Sequence, residues 1–371
     1  MWNNGKTMTW LERPRWSYLW VLVLPALLPI SVWLGATAPR WPNAYLLLPP
    51  LALFVVLPIV DFLIGIDERN PYDNRAVDAR RELLLRTLPG LALPGVLLNL
   101  WLILHVLTHA AWLSAFGAVT LIWSAGIISA TLGITAAHEL IHKDSRLERC
   151  TGGLLLAMVG YGTFKVEHVR GHHAWVATPN DPSSAARGTS IYAFLPRAIA
   201  SNIANAWRLE AQRLKLLGLP VLHYRNELLW WNALSVSLAA FIAVLWGWLG
   251  VLIYLAHNLV SVLTLESINY VEHYGLRRAR LGNGRYEPPN ICHSWNSSFL
   301  FSNLMLFQLQ RHSDHHAHPK RPYPELCHYA ESPQLPGGYA SMLLLIYVPP
   351  LWRRLIHPRI PQTGNESTNG V

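Results

Sequence analysis

Hydrophobic and polar positions in this chain separate into long blocks instead of alternating. Six stretches, at about 17–36, 43–66, 90–108, 113–136, 229–249 and 250–268, carry no Lys, Arg or Glu until near their ends. Each supplies roughly the 20 apolar residues that a helix needs to cross a bilayer. The pattern predicts an all-α integral membrane protein with six transmembrane helices, four in one group and two in a hairpin. Asp61 and Glu266 are the acidic exceptions, each near an inner end. The polar stretches 138–228 and 269–358 read as a cap on the same single domain. Within the cap, "IYAFLPRAIASNIANAWRLEAQRLKLLG" has the pattern of an amphipathic helix lying on or under a membrane. The apolar run at 341–352 contains Pro349 and Pro350 and is too short to span comfortably. The tail 359–371, ending "PQTGNESTNGV", is expected to be disordered.

Charge sets the orientation. Only 14% of the residues are charged and 52% are hydrophobic, whereas soluble proteins carry about a quarter charged residues. The basic residues cluster in the N-terminal segment (Lys6, Arg13, Arg15), in the 67–89 loop with its five Arg, and in 138–228. Between the first two helices there is only Arg40. The positive-inside rule then places both termini and the large polar segments in the cytoplasm, with a bacterial inner membrane as the host. The basic start and the "ATA" at 36–38 resemble a signal peptide, but Pro39 and the length of the run favour a retained anchor. The net charge of +9 fits inner loops facing anionic lipid, or docking of an acidic redox partner. Nothing in the chain has a nucleic-acid-binding motif. Cys150, Cys292 and Cys327 lie far apart, which argues against a disulfide framework or a thiolate metal site.

Histidine placement brings in chemistry. Of 17 histidines, nine fall in four groups beside the inner ends of apolar segments. "HELIH" supplies His138 and His142, and "EHVRGHH" supplies His168, His172 and His173. "NYVEHYG" supplies His273, just past the sixth predicted span, and "RHSDHHAHP" supplies His312, His315 and His316. Spacings of three or four residues bring imidazoles to one helical face, where two or three can reach a common ion. Nine imidazoles exceed the capacity of one metal, so the cap is expected to hold a di-metal site.

HELIH alone is a zinc-peptidase signature. A zinc peptidase needs three protein ligands and an open position, and structural zinc usually recruits cysteine. Imidazole suits Zn, Cu, Fe or Ni, and non-haem iron that activates O2 fits a histidine-rich, water-poor site best. Acidic residues recur beside the ligands: Glu139, Glu167, Glu272 and Asp314. A carboxylate that accepts a ligand's second ring N–H fixes its tautomer and raises its basicity; the alternative is a solvated residue or a pair with Arg170 or Arg311. His293 and His318 are candidate neighbours of the centre.

The motifs "HELIHK", "EHVRGHH", "NYVEHYGL", "HSWNSS" and "LQRHSDHHAHP" carry a resemblance that covers about 45–358. With "DERNPYD" and "ESPQLPGGYA" added, the chain resembles the integral-membrane alkane 1-monooxygenase (AlkB) family, part of the non-haem di-iron fatty acid desaturase and hydroxylase-like superfamily. The resemblance implies six transmembrane helices and two non-haem Fe ions held by the nine histidines. It also implies O2 as co-substrate and terminal hydroxylation of medium- to long-chain n-alkanes. Electrons would come from rubredoxin, itself reduced by an NAD(P)H-dependent reductase. Cys292 before His293 departs from the family pattern. Phe54, Val55, Leu57 and Leu263 are candidate lining for an alkane tunnel opening from the bilayer. The rival readings are a hydroxylase of alkyl-aromatic methyl groups, as in xylene oxidation, and a membrane lipid desaturase. A metalloprotease and a non-catalytic metal protein fit less of the pattern.

Overall fold

In the computed structural model, residues 17–71 and 79–361 are described; Lys6, Arg13, Arg15 and the tail beyond Pro361 lie outside them. Among the described residues the chain is helical, with only isolated β-bridges, such as Ile66 with Phe299. Five helical stretches are long and apolar enough to cross a membrane: Ser17–Thr37, Pro42–Ile64, Glu82–His109, Ala115–Ile141 and Glu227–His273. The third starts earlier than the predicted 90–108, because the polar turn from Glu82 joins the apolar run without a break. The fourth runs to Ile141, so His138 lies within its last turns.

The two predicted hairpin spans form one 47-residue stretch, interrupted at Gly247, whose φ of 65° and ψ of −164° are non-helical. A left-handed φ of this kind favours glycine. The chain reverses there. Ser235 Oγ donates to Ala157 O at 2.7 Å and Tyr254 OH reaches the same carbonyl at 3.5 Å. On a straight helix these two residues would stand about 28 Å apart at 1.5 Å per residue. Two arms, 227–246 and 248–273, therefore lie against the same turn at Ala157. The second arm stays helical through His273, which is its last helical residue and not a loop residue beyond it.

Polar side chains start the helices that frame the cap. Ser114, Ser145, Ser190 and Asn226 each accept a backbone N–H from the first turn that follows, satisfying donors that the helix leaves unpaired. The expected amphipathic helix is Ile191–Leu216, and its apolar face, with Phe194 and Ala198, joins a core containing Tyr270 and Trp352. The apolar run near the C-terminus divides into Tyr339–Ile346 and Pro349–Ile356, as its two prolines require.

The acidic exceptions within the apolar helices are buried and bonded. Asp61 accepts the Ser302 N–H at 2.9 Å and so fixes the start of helix Leu300–Met305. Glu266 accepts from Tyr161 OH at 2.7 Å and from Asn202 and Asn269 at 3.1 Å. Intramembrane carboxylates are costly unless paired in this way.

Candidate metal centre

Local helix geometry decides which way each histidine points. His138 and His142 leave the end of helix Ala115–Ile141 one turn apart. Helix Arg146–Met158 packs closely against that end: a Cβ on Gly152 would meet Ala137 O at 3.0 Å and Ile141 Cγ2 at 2.8 Å. The next group sits on a π-helical turn, His168–His172. The i→i+5 bonding of a π-turn adds a residue to the turn and brings His173 round beside His168, while His172 joins the other group. Helix His312–Ala317 divides its three histidines likewise: His312 and His316 share a face, and His315 points elsewhere.

All nine predicted histidines come together, in two groups. His138, His142, His168, His173 and His315 form the first; His172, His273, His312 and His316 form the second. Within each group the candidate ligand atoms lie within 4.8 Å of one another. In the first, Nε2–Nε2 distances are 2.8 Å for His138–His315, 3.1 Å for His142–His168, 3.0 Å for His168–His173 and 3.2 Å for His173–His315. In the second they are 3.2 Å for His273–His312 and 3.0 Å for His312–His316.

The donor set fits metal ions. Nε2 atoms converging from several rings cannot all be satisfied by bonds among themselves, because each neutral imidazole has one donor and one acceptor nitrogen. The buried His172 Nε2 has no hydrogen-bond partner. Burial and the like charge of neighbouring rings hold His168, His173, His315 and His316 well below the ordinary histidine range. Burial and Lys143 bring His142 down to about 3. The rings are therefore neutral near pH 7, the form that binds a metal.

The acidic neighbours fall out differently from the sequence expectation. Glu139 turns from the rings: it pairs with Lys143 at 2.5 Å and accepts the Tyr323 N–H at 3.1 Å. Asp314 also turns away, holding His318 Nδ1 at 2.8 Å, Arg321 and the Cys327 N–H. Glu167 is fully buried beside Gly171, and burial with Asp181 nearby pushes its carboxyl up. Glu272 does approach the centre, but on the inner side: its Oε2 lies 3.3 Å from His312 Nε2, not against an outer ring nitrogen. His318 is exposed and bonded to Asp314, away from the rings. His293 approaches through its carbonyl, 3.4 Å from His273 Nδ1, while its ring faces Glu287. Cys292 is exposed.

The carboxylate that does buttress a ring is Asp181, whose Oδ2 lies 3.0 Å from His172 Nδ1. Ser184 Oγ and the Ser183 N–H donate to the same carboxylate. It lies in the "TPNDPSS" turn, where an Asp before Pro reads as ordinary turn chemistry. The two arginines offered as alternative partners fasten the cap. Arg170, on the π-turn, bonds Glu210 at 2.6 Å and Glu227 at 2.5 Å. The buried Arg311 donates to the carbonyls of Asp67 at 2.6 Å and Leu326 at 2.8 Å, fastening the segment that leads into His312.

An apolar cavity has His138 in its lining. Its walls include Leu53, Phe54 and Leu57 from one helix, Ala130, Thr131 and Ile134 from the next, and Thr264, Leu265 and Ile268 from the second arm of the hairpin. Ala130 is eight residues before His138, so the wall extends about 12 Å along that helix. Of the four candidate lining residues, Phe54 and Leu57 lie on the wall of this cavity. Val55 does not: it lies on the outer face, 47% exposed. Leu263 packs instead against the core around Tyr270 and Trp352.

Residues 110–345 match the Fatty acid desaturase family. The chain is 47% identical to Alkane 1-monooxygenase 2 of Pseudomonas aeruginosa over 358 residues, 95% of this chain and 93% of that protein. It is 42% identical to Alkane 1-monooxygenase 2 of Alcanivorax borkumensis over 97% of this chain and 94% of that protein. It is also 28% identical to the xylene/toluene monooxygenase hydroxylase component XylM of Pseudomonas putida, over 64% of this chain and 62% of that protein.

Proposed function

We propose that this chain, which belongs to the alkane 1-monooxygenase family, hydroxylates the terminal carbon of medium- to long-chain n-alkanes: R–CH3 + O2 + 2 e⁻ + 2 H⁺ → R–CH2OH + H2O. The observation that carries the reading is the apolar cavity lined in part by His138, a member of the five-histidine group. The nine histidines are the ligands, five for one ion and four for the other. Iron held there supplies O2 activation and oxidation of a C–H bond. The protein's own contribution is to bind, orient and exclude water.

A terminal methyl has the strongest C–H bonds in an alkane, so the position of attack must come from geometry. A cavity walled by Leu, Ile and Phe admits the chain lengthwise and presents its end to His138. Besides His138, Thr131, Thr135, Thr264 and Tyr339 are the polar side chains on these walls. The hydroxyls of Thr131 and Thr264 are bonded to carbonyls of their own helices, at 2.5 and 2.8 Å, which leaves the lining suited to hydrocarbon.

Electrons come from a reduced rubredoxin, supplied by an NAD(P)H-dependent reductase, since the sequence carries no electron-transfer module of its own. We take the two arms on either side of Gly247 as separate spans, giving six. The basic polar segments and both termini face the cytoplasm of a bacterial inner membrane. The chain acts as one domain.

The similarity to XylM supports one rival, hydroxylation of an alkyl-aromatic methyl group. Gas chromatography of products decides between them. Membranes containing the protein are supplied with NADH, rubredoxin, its reductase and n-alkanes from hexane to hexadecane, with toluene in parallel. The expected products are 1-alkanols. Benzyl alcohol without any 1-alkanol would overturn the reading in favour of the rival.

A further inference from the structure

The cavity has a second determinant that does not touch its contents. Helix Ala115–Ile141 is not uniformly α-helical: Ser129–Ile134 is a π-turn, and three of its residues, Ala130, Thr131 and Ile134, form cavity wall. A π-turn is rare, occurs mostly as a single turn inside an α-helix and is frequent at functional sites. Ser129, its first residue, is bonded to the helix that carries the facing wall: Ser129 Oγ lies 2.8 Å from His257 Nε2. The other ring nitrogen, Nδ1, lies 3.0 Å from Asn258 Oδ1. A neutral imidazole satisfies both contacts, donating from Nδ1 to the amide oxygen and accepting the Ser129 hydroxyl at Nε2.

His257 is buried at 1% exposure inside an apolar helix, where an ionisable side chain is costly and rarely incidental. The arm that carries it continues to Thr264, Leu265 and Ile268, which face the π-turn across the cavity. The two helices touch at Gly126, where a Cβ would lie 2.5 Å from Val260 and where Ser261 Oγ donates to Gly126 O at 3.1 Å. That contact brings the helices together, and the His257–Ser129 bond ties them at the level of Ala130, the end of the wall remote from His138.

We infer that His257 and Ser129 are a positioning pair that holds the far end of the cavity closed and thereby limits the length of alkane accepted. The inference rests on the alkane reading above. Releasing the tie lets the π-turn relax and the walls part at that end, while the histidine groups, more than two turns away, keep their ligands.

The test uses the full-length protein in membranes, with rubredoxin, its reductase and NADH, and reads 1-alkanol from hexane to hexadecane. Ser129→Ala removes the hydroxyl with little change in volume, and His257→Phe removes the acceptor. Both are expected to raise the ratio of hexadecane to octane turnover at least ~5-fold, with iron per chain unchanged, since a few atoms of pocket wall discriminate on this scale. His257→Gln, whose amide can accept from Ser129 and donate to Asn258, should keep the wild-type profile. A wild-type profile in both Ser129→Ala and His257→Phe would overturn the inference. So would a uniform loss across all lengths, or a His257→Gln profile matching that of His257→Phe. Failure of the wild type to make any 1-alkanol would instead remove the alkane reading, and this inference with it.

Discussion

The two histidine groups share the π-turn His168–His172 and the helix His312–Ala317, yet differ in their carboxylate neighbours. The first gathers five neutral rings, and among the described residues no carboxylate pairs with any of them. The second gathers four rings and two carboxylates: Asp181 behind His172 at 3.0 Å, and Glu272 at 3.3 Å on the Nε2 side of His312. A ligand whose outer nitrogen is held by a carboxylate is a stronger base and is fixed in orientation. The smaller group therefore has the Asp181 carboxylate behind one ring, whereas burial pushes the Glu272 carboxyl well up, and the larger group relies on the number of rings. Two ions held in these surroundings would be inequivalent.

Removing one ring tests this with the largest effect. His316→Ala leaves three imidazoles in the second group and should reduce iron from about two to about one per chain while abolishing turnover. His173→Ala leaves four in the first group and should retain more metal. Plasma mass spectrometry on purified protein checks both; equal iron loss in the two variants would erase the distinction.

Asp181→Asn has the next largest effect. The amide keeps the size of the side chain but reduces its hold on His172, and loss of such a partner typically weakens metal affinity ~10- to 100-fold. Chelator titration should then remove iron from one site well before the other. Simultaneous release of both ions would place Asp181 outside the second site's support.

Glu210→Gln should have the smallest effect and spare the difference between the groups. Burial pushes the Glu210 carboxyl up, but Arg213, the Glu227 N–H and Arg170 bring it from 4.5 down to about 2. Because the unfolded chain takes up this proton first, Glu210 stabilises the fold fully above pH 4.5 and loses that contribution as pH falls toward 2. The variant should melt at a lower temperature at pH 7 and show a shallower acid decline over that window. Through Arg170 it should loosen the π-turn shared by both groups, so any iron loss should be equal. Unequal loss, followed by calorimetry and metal analysis, would show that Arg170 serves one group only.

Much of this was legible in the sequence. Apolar runs of spanning length marked the membrane helices, and nine histidines at helical spacing marked the centre. Their division into two groups was hidden, because it depends on a π-turn that brings His173 round beside His168. Asp181 was hidden in a turn whose composition needs no further explanation. Glu139 and Asp314 were adjacent in sequence but lie on helix faces turned toward Lys143 and Arg321. Phe54 and Leu57 could not be separated from Val55, since lipid-facing and cavity-facing positions in an apolar helix have the same composition. The π-turn Ala52–Val56 also shifts the helical phase there.

On the proposed function, the histidine cap holds two iron ions in unlike surroundings. Mössbauer spectroscopy of the ⁵⁷Fe-enriched protein, paired with total metal analysis, tests it most directly. The expected result is about two Fe per chain and two distinct quadrupole doublets of equal area. One Zn per chain, or a single doublet accounting for one Fe, would contradict the account.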